Sequence, residues 1–197
     1  MKCYISFVLT VFSCIASGTL NSEYGECIGQ SYLTQAYSND NSYKVPCENN
    51  FVLLQDSNKK IFSGLKWQCV EYARRWLIDN KNVTFAQVKY AYNIWDLEYG
   101  KRVDTNEFIP ILKFENRTST VEPQVGDLLI YSGEIAITGH VAVVADVDYN
   151  SVTIAEQNYF NRPWDGIDYS RRLLLGKDEE GQYRIFDEAL IGWVRFD

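Results

Sequence analysis

Features typical of nucleic-acid-binding and membrane-spanning proteins are scarce in this sequence. Its 197 residues include 19 Lys and Arg against 26 Asp and Glu, a formal net charge of −7, whereas nucleic acid is usually met by a basic stripe. Beyond the N-terminus no segment approaches the ~20 apolar residues needed to cross a bilayer. No repeat, heptad run or low-complexity tract is visible. We therefore expect no nucleic-acid partner and no membrane segment in the mature chain.

Histidine is the scarcest of the residues that carry chemistry, since it occurs once, as His140. A structural or catalytic zinc site draws on several Cys, His or carboxylate ligands, and one histidine with one free cysteine does not supply the usual set. We therefore expect no metal and no cofactor. The chain is 46% hydrophobic and 23% charged, which gives enough apolar material for the core of one globular domain.

Residues 1–18 are typical of a secretory signal peptide. Lys2 supplies the positive charge, "YISFVLTVFSCI" is an apolar stretch too short to span a bilayer, and the small residues "ASG" follow. We predict cleavage near Ala16 or Gly18, export of the mature protein, and a single domain over residues 19–197. A retained anchor or a buried strand is the alternative interpretation.

Export would leave three of the five cysteines, because Cys3 and Cys14 lie in the predicted signal peptide. An odd number in an oxidising compartment indicates one pair and one free thiol. We predict a Cys27–Cys47 disulfide in the polar segment that follows the signal peptide, and a free thiol at Cys69. A different pairing or an intermolecular disulfide stays open, since connectivity is not fixed by sequence.

Two sequons are present, Asn82-Val-Thr and Asn116-Arg-Thr. In an exported eukaryotic protein, Asn82 and Asn116 would be glycosylation candidates.

The first half of the chain contains the helical patterns. After Cys69, the apolar residues Ala73, Trp76 and Leu77 follow at i+4, i+7 and i+8, which predicts a helix to about Asp79. "AQVKYAYNIWDLE" indicates a second helix. The segments 19–50 and 100–124 have no clean period and are predicted to be loops, the first with one short helix at most.

The second half of the chain reads as strands. Short, β-branched runs separated by turn residues predict an antiparallel sheet: "GDLLIY", "HVAVVADV", "SVTIAE", "RRLLLG", "QYRIFD" and "LIGWVRFD". Helices followed by strands indicate the α+β class, with N-terminal helices packed on an antiparallel sheet that buries one face against the helix of Cys69.

A cysteine and a histidine occupy element ends in this scheme. Cys69 begins a predicted helix, where the helix dipole and free N–H groups stabilise a thiolate. His140 begins a predicted strand after Gly139, which lets another group approach closely. Packing the helix on the sheet would form an activated-nucleophile pair. A third group should orient the imidazole, and the candidates are Glu156 and Asn158.

The position of Glu156 poses a geometric problem. A two-residue turn after Asp148 pairs the two strands so that Glu156 faces Val143 and not His140. A longer turn, a β-bulge or a diagonal reach by the glutamate is needed to bring the two side chains together.

Four segments resemble the cysteine, histidine-dependent amidohydrolase/peptidase (CHAP) domains: "GLKWQCVEYARRWL", "GDLLIY", "TGHVAVVADV" and "VTIAEQN". Among CHAP domains, the chain resembles the amidase domains of glutathionylspermidine synthetase/amidases in particular. The resemblance extends from about Tyr24 to "IGWVRF". The resemblance implies a papain-like α+β fold, with Cys69 as the nucleophile, His140 as the base and Glu156 as the orienting carboxylate.

The resemblance also implies substrate-binding residues. Arg74 matches an arginine thought to contact substrate, Gln68 and the backbone N–H of Cys69 would be oxyanion donors, and Asn158 is a further candidate. The implied reaction is hydrolysis of an amide through a cysteine thioester.

The identity of the amide stays open at this point. The motifs favour a small peptide-amide conjugate like glutathionylspermidine, which is an intracellular metabolite. Predicted export favours peptidoglycan, which other CHAP domains cut. A catalytically silent binding module that kept the fold is the third possibility, although the intact cysteine, histidine and glutamate argue against it.

Overall fold

A computed structural model describes residues 22–40, 42–54 and 58–197. The predicted signal peptide, residues 1–18, lies outside the described residues, as do Cys3 and Cys14. Strands hold 41% of the described residues and helices 13%. The predicted papain-like α+β fold, with N-terminal helices packed on a sheet, is therefore wrong: the chain is mostly β.

The strands in chain order are β1 (Cys27–Ser31), β2 (Thr34–Tyr37), β3 (Asn49–Leu53), β4 (Lys60–Leu65), β5 (Val83–Phe85), β6 (Tyr99–Arg102), β7 (Phe108–Glu115), β8 (Leu128–Tyr131), β9 (His140–Asp148), β10 (Ser151–Ala155), β11 (Arg171–Lys177), β12 (Tyr183–Phe186) and β13 (Leu190–Phe196). Within the described ranges, one α-helix, α1 (Cys69–Lys81), and two 3-10 helices, Ser42–Lys44 and Ala91–Asp96, accompany them.

Nine strands form one antiparallel sheet in the order β12-β11-β10-β9-β8-β13-β7-β6-β5. The remaining strands form the hairpins β1–β2 and β3–β4. All six runs predicted to be strands in the second half of the chain are strands, β8 to β13. Their β-branched content and short connections suit neighbouring antiparallel pairing.

The predictions for the first half of the chain were less accurate. The second predicted helix is only the 3-10 helix Ala91–Asp96, and the predicted loop at 100–124 contains most of β6 and all of β7. Pro110 argued against a strand there. It lies just beyond the last residue pair between β7 and β13, Ile111 with Phe196, where the missing N–H costs no hydrogen bond in that ladder.

The predicted helix at Cys69 does exist and packs on the sheet. Its apolar side chains Tyr72, Ala73, Trp76 and Leu77 share one buried cluster with residues of β8 and β9. The helix ends at Lys81, and Asn82 follows in the left-handed conformation with φ 57°, as is common after a helix. No helix in the described part of the chain is long and apolar enough to cross a membrane.

The polar side of α1 is tied down by a buried carboxylate. Glu71 is fully buried and accepts hydrogen bonds from Arg75 at 2.7 and 3.1 Å, from Asn50 at 2.9 Å and from Ser63 at 3.0 Å. Arg75 also donates to the backbone oxygen of Gln35 at 2.6 Å. The network therefore joins α1 to both N-terminal hairpins.

The predicted Cys27–Cys47 disulfide is absent, because Cys47 carries a free and exposed thiol. Cys27 begins β1 in one hairpin, while Cys47 lies just before β3 in the other. The two hairpins form separate sheets, so the two cysteines are not held together by strand pairing. Counting cysteines therefore did not isolate Cys69 as the odd thiol.

Glu71→Ala should lower the free energy of unfolding by about 3–5 kcal/mol, because it leaves Arg75 as a buried, unpaired cation. Chemical denaturation of the purified variant measures this change. Asp165→Ala is the matched control: it removes a carboxylate from the exposed pair with Arg162, 3.7 Å apart, and should change stability by less than about 1 kcal/mol. Equal effects from the two substitutions would contradict the structural role of Glu71.

Candidate active site

Cys69 is the first residue of α1 and lines an open cleft of about 680 Å³. The side chain is largely buried, with 9% of the residue exposed. As the first helical residue, it has a backbone N–H without an acceptor inside the helix. The sulfur and this N–H therefore lie where a helix N-terminus favours negative charge.

His140 begins β9 and is buried. Its side chain forms a hydrogen bond with Glu156, and Cys69 lies near enough to act on its pKa. The preceding Gly139 has φ +64°, and a Cβ there would lie 2.5 Å from the backbone oxygen of Tyr131. Only glycine fits this position without strain, so Gly139 allows the chain to turn tightly into the strand that carries the histidine.

A β-bulge brings Glu156 to His140. The turn after Asp148 is tight as expected, but the pairing of β10 with β9 shifts by one residue between Thr153 and Ile154. The last pair is then Ala155 with Val143, and Glu156 follows level with Ala142. Residues 140 and 142 point to the same face of the strand.

The diagonal contact that results is short. Glu156 Oε2 lies 2.8 Å from His140 Nε2. Since Glu156 engages Nε2, Nδ1 is the ring nitrogen left for Cys69. The structure therefore brings the three side chains proposed from the sequence together, with Glu156 hydrogen-bonded to His140 and Cys69 beside the imidazole.

Glu156 is held by more than the histidine. It accepts hydrogen bonds from the hydroxyl of Ser170 at 2.9 Å and from Arg171 at 2.6 and 3.3 Å. Arg171 in turn donates to Asp187 at 3.0 Å, as does Tyr131 at 2.9 Å. The carboxylate is thus fixed in one orientation by groups from β8, β11 and the turn before β13.

These contacts decide the charge state of the pair. Burial alone lowers the pKa of His140, but the neighbouring Cys69 and Glu156 raise that pKa to about 9. Burial alone raises the pKa of Glu156, but His140 and Arg171 together lower it to about 2. At neutral pH the site therefore holds an imidazolium beside a carboxylate.

Tyr159 covers the imidazole on one side. Its ring lies 5.0 Å from the His140 ring with an interplanar angle of 30°, and the Arg171 guanidinium lies 4.6 Å from the centre of the tyrosine ring. Tyr159 and Arg171 were not among the site residues predicted from the sequence. The double arginine that begins "RRLLLG" was a signal of charge at a strand start, but its partner across the sheet is visible only in three dimensions.

Gln68 and Asn158 lie together beside the cysteine. Asn158 Nδ2 donates to Gln68 Oε1 at 2.9 Å, and Gln68 lines the same cleft as Cys69. Asn158 therefore contacts Gln68, and it is Glu156 that contacts His140. The sequence left both options open for orienting the histidine.

Arg74 lies in the wall of the cleft that Cys69 also lines. Its guanidinium donates to the backbone oxygens of Ser63, Phe85 and Ala86 and packs 4.4 Å from the Phe85 ring. Burial lowers its pKa to about 10, an effect that Glu71 partly opposes. Arg74 borders the cleft, and three of the five N–H groups of a guanidinium are used by these backbone oxygens, so its predicted contact with substrate stays a prediction.

The two predicted glycosylation sites differ in exposure. Asn82 is partly exposed after α1. Asn116 is buried, and its amide pairs with both backbone groups of Ile185 at 2.9 and 3.1 Å. A glycan on the Asn116 nitrogen would break this pairing, so the structure argues against modification there.

The cleft beside Cys69 is lined by both apolar and polar side chains. Its lining includes Phe62, Leu65, Val88, Tyr90 and Thr138. Lys89 is the exposed charged side chain in this lining, and no ion pair is formed by it within the described residues. No group of three or more His, Cys, Asp and Glu in the described ranges is arranged to hold a metal ion.

Comparison with known proteins gives consistent matches. A family model described as CHAP domain matches residues 60–158. The chain is 34% identical over 169 residues to a trypanothione synthetase of Crithidia fasciculata, covering 82% of this chain and 24% of that protein. It is 37% identical over 140 residues to a bifunctional glutathionylspermidine synthetase/amidase of Escherichia coli (strain K12), covering 68% of this chain and 22% of that protein.

The chain spans about a quarter of the length of these curated relatives. The family match includes Cys69, His140 and Glu156, the three residues proposed from the sequence as the catalytic group. The resemblance seen in the sequence is thereby confirmed. The chain belongs to the CHAP domain family of amidohydrolases.

Proposed function

We propose that this chain is a cysteine amidase that cleaves an amide bond through a thioester on Cys69. The observation that carries the proposal is the grouping of Cys69, which lines an open cleft, with His140 and the Glu156 carboxylate that is hydrogen-bonded to it. This is the arrangement of an activated nucleophile, its base and an orienting group. Residues 19–197 would then form a single domain with one catalytic site.

The geometry supports the following steps. The Cys69 thiolate attacks the amide carbonyl carbon, and the Cys69 N–H with the Gln68 side-chain amide donates to the resulting oxyanion. The His140 imidazolium gives its proton to the departing amine nitrogen as the C–N bond breaks. Neutral His140 then takes a proton from water as the water attacks the thioester, and the acid product leaves with the thiolate and imidazolium restored.

A conjugate like glutathionylspermidine is the substrate we favour. A relative named glutathionylspermidine synthetase/amidase is 37% identical to this chain over 140 residues. Lys89 adds a positive charge to the cleft, which suits a substrate whose peptide part carries carboxylates.

The predicted signal peptide supports an alternative substrate. If the mature protein is exported, as we propose, peptidoglycan is the amide available outside a cell, and its peptide stems also carry carboxylates. Both candidates use the same reaction, so the compartment and the released products distinguish them.

Cys69→Ala should reduce amide hydrolysis at least about 10⁴-fold, because it removes the nucleophile. Cys47→Ala is the matched control, since it removes the other free thiol among the described residues, and it should keep wild-type turnover.

In the wild-type protein, iodoacetamide should alkylate the buried Cys69 faster than the exposed Cys47, since only Cys69 has a helix N-terminus and an imidazolium to stabilise its thiolate. Peptide mass mapping after short labelling times measures both rates. Slower labelling at Cys69 would favour a silent binding module.

The kcat/KM profile should fall above about pH 9, because His140, whose pKa is about 9, then loses the proton it gives to the leaving amine. In Glu156→Gln, this basic limb should move to lower pH, since the carboxylate that helps raise the His140 pKa is gone. Asp146→Asn, a carboxylate-to-amide change at an exposed position of β9, should leave the limb in place. An unshifted limb in Glu156→Gln would show that Glu156 does not set the protonation of His140.

Product analysis separates the two substrates. Incubation of purified protein with glutathionylspermidine should release free glutathione and spermidine, detected by mass spectrometry, and Cys69→Ala should release neither. A fall in the turbidity of bacterial cell walls, with no spermidine released, would replace the favoured substrate by peptidoglycan.

A further inference from the structure

We propose that Asn39 and Asn158 are positioning residues that fix which end of the Gln68 side-chain amide faces the reacting carbonyl. The proposal rests on the proposed function, because it concerns the oxyanion donor of that reaction. It assigns a role to Asn39, a residue far from Cys69 in sequence, and a new role to Asn158.

Three side-chain amides form a chain that begins at a backbone N–H. The N–H of Trp67 donates to Asn39 Oδ1 at 3.4 Å. Asn39 Nδ2 donates to Asn158 Oδ1 at 2.9 Å, and Asn158 Nδ2 donates to Gln68 Oε1 at 2.9 Å. The chain ends at Gln68 Nε2, which has no acceptor among the described residues and belongs to a side chain that lines the cleft.

The direction of the chain follows from its first member. A backbone N–H can only donate, so it selects the oxygen of the Asn39 amide and turns the NH₂ group of Asn39 toward Asn158. Asn158 must then present its oxygen to Asn39 and its NH₂ group to Gln68. Gln68 must present its oxygen to Asn158, which leaves its NH₂ group for the oxyanion.

The backbone at both ends of this chain of amides is held by further hydrogen bonds. Asn39 is buried, and its own N–H donates to Asn161 Oδ1 at 2.9 Å. The backbone oxygen of Gln68 accepts from Gln157 Nε2 at 3.2 Å. These bonds hold the backbone of Asn39 and of Gln68. The side-chain amides can still rotate, and the hydrogen bonds between them fix that rotation.

Asn39→Asp should reverse the chain while keeping the size of the side chain. The new carboxylate still accepts from Trp67, but it can only accept from Asn158 as well. Asn158 would turn its NH₂ group to the carboxylate and its oxygen to Gln68. Gln68 would then turn its NH₂ group to Asn158 and leave its own oxygen facing the oxyanion, where it repels negative charge.

The test compares Asn39→Asp with Asn39→Leu, which removes the directing group without reversing it. Asn39→Asp should lower kcat at least about 100-fold, the usual effect of losing one oxyanion donor, with KM little changed. Asn39→Leu should lower kcat less than about tenfold, because the oxyanion itself can then turn the freed Gln68 amide. Thermal unfolding of both variants identifies any loss of folded protein.

Iodoacetamide supplies a second readout. Alkylation of Cys69 needs the thiolate but forms no oxyanion, so its rate and its dependence on pH should match wild type in Asn39→Asp. Slowed or pH-shifted alkylation would show that the added charge acts on the Cys69–His140 pair, and equal kcat values for the two variants would show that no direction is transmitted. Either result overturns this proposal alone, whereas a wild-type protein without amide hydrolysis overturns the proposed function as well.

Discussion

The active-site geometry depends on the hydrogen bonding of one buried amide, the side chain of Gln157. Its Nε2 donates to the backbone oxygen of Gln68 at 3.2 Å and to Glu71 at 3.1 Å, while its Oε1 accepts from the backbone of Tyr37 at 2.8 Å and from Arg75 at 3.4 Å. Both donors and both lone pairs are thus used, inside a fully buried residue. The preceding residue carries the carboxylate of the site, so Gln157 joins the end of β10 to the start of α1.

The sheet provides a charge arrangement that suits amide cleavage. An amine is a poor leaving group until it is protonated, so the difficult step needs a proton donor at the nitrogen. Going away from the cysteine, the charges of His140, Glu156 and Arg171 are positive, negative and positive in turn. The His140 pKa of about 9 means that the imidazolium still carries its proton at neutral pH. Burying such a carboxylate is costly unless its oxygens are satisfied, and Ser170 completes its set of donors.

The parts of this structure that follow from local pattern were predictable, and those that follow from long-range pairing were not. The start of α1 at Cys69 and strands β8 to β13 were predicted because apolar periodicity is strong there. Strands β6 and β7 were missed because Pro110 and the lack of a clean period hide them, and one partner of β7, strand β13, is distant in sequence. Likewise, the need for a register shift before Glu156 followed from counting residues, but its location between Thr153 and Ile154 depends on how the strands pack. The Cys27–Cys47 disulfide was wrongly predicted, because an odd number of cysteines does not show which of them lie close together in space.

The use of neutral amides around the cysteine has an electrostatic reason. A lysine or arginine placed at the oxyanion position would stabilise the intermediate, but it would also oppose the positive charge on His140 and lower the pKa that the sheet has raised. A glutamine donates to the oxyanion as a dipole and leaves the imidazolium nearly unperturbed. The disadvantage of an amide is that it can turn either end to the substrate, so its direction must be fixed by neighbours. The two arginines of α1, Arg74 and Arg75, donate to backbone oxygens and to Glu71, so protein groups already balance part of their charge.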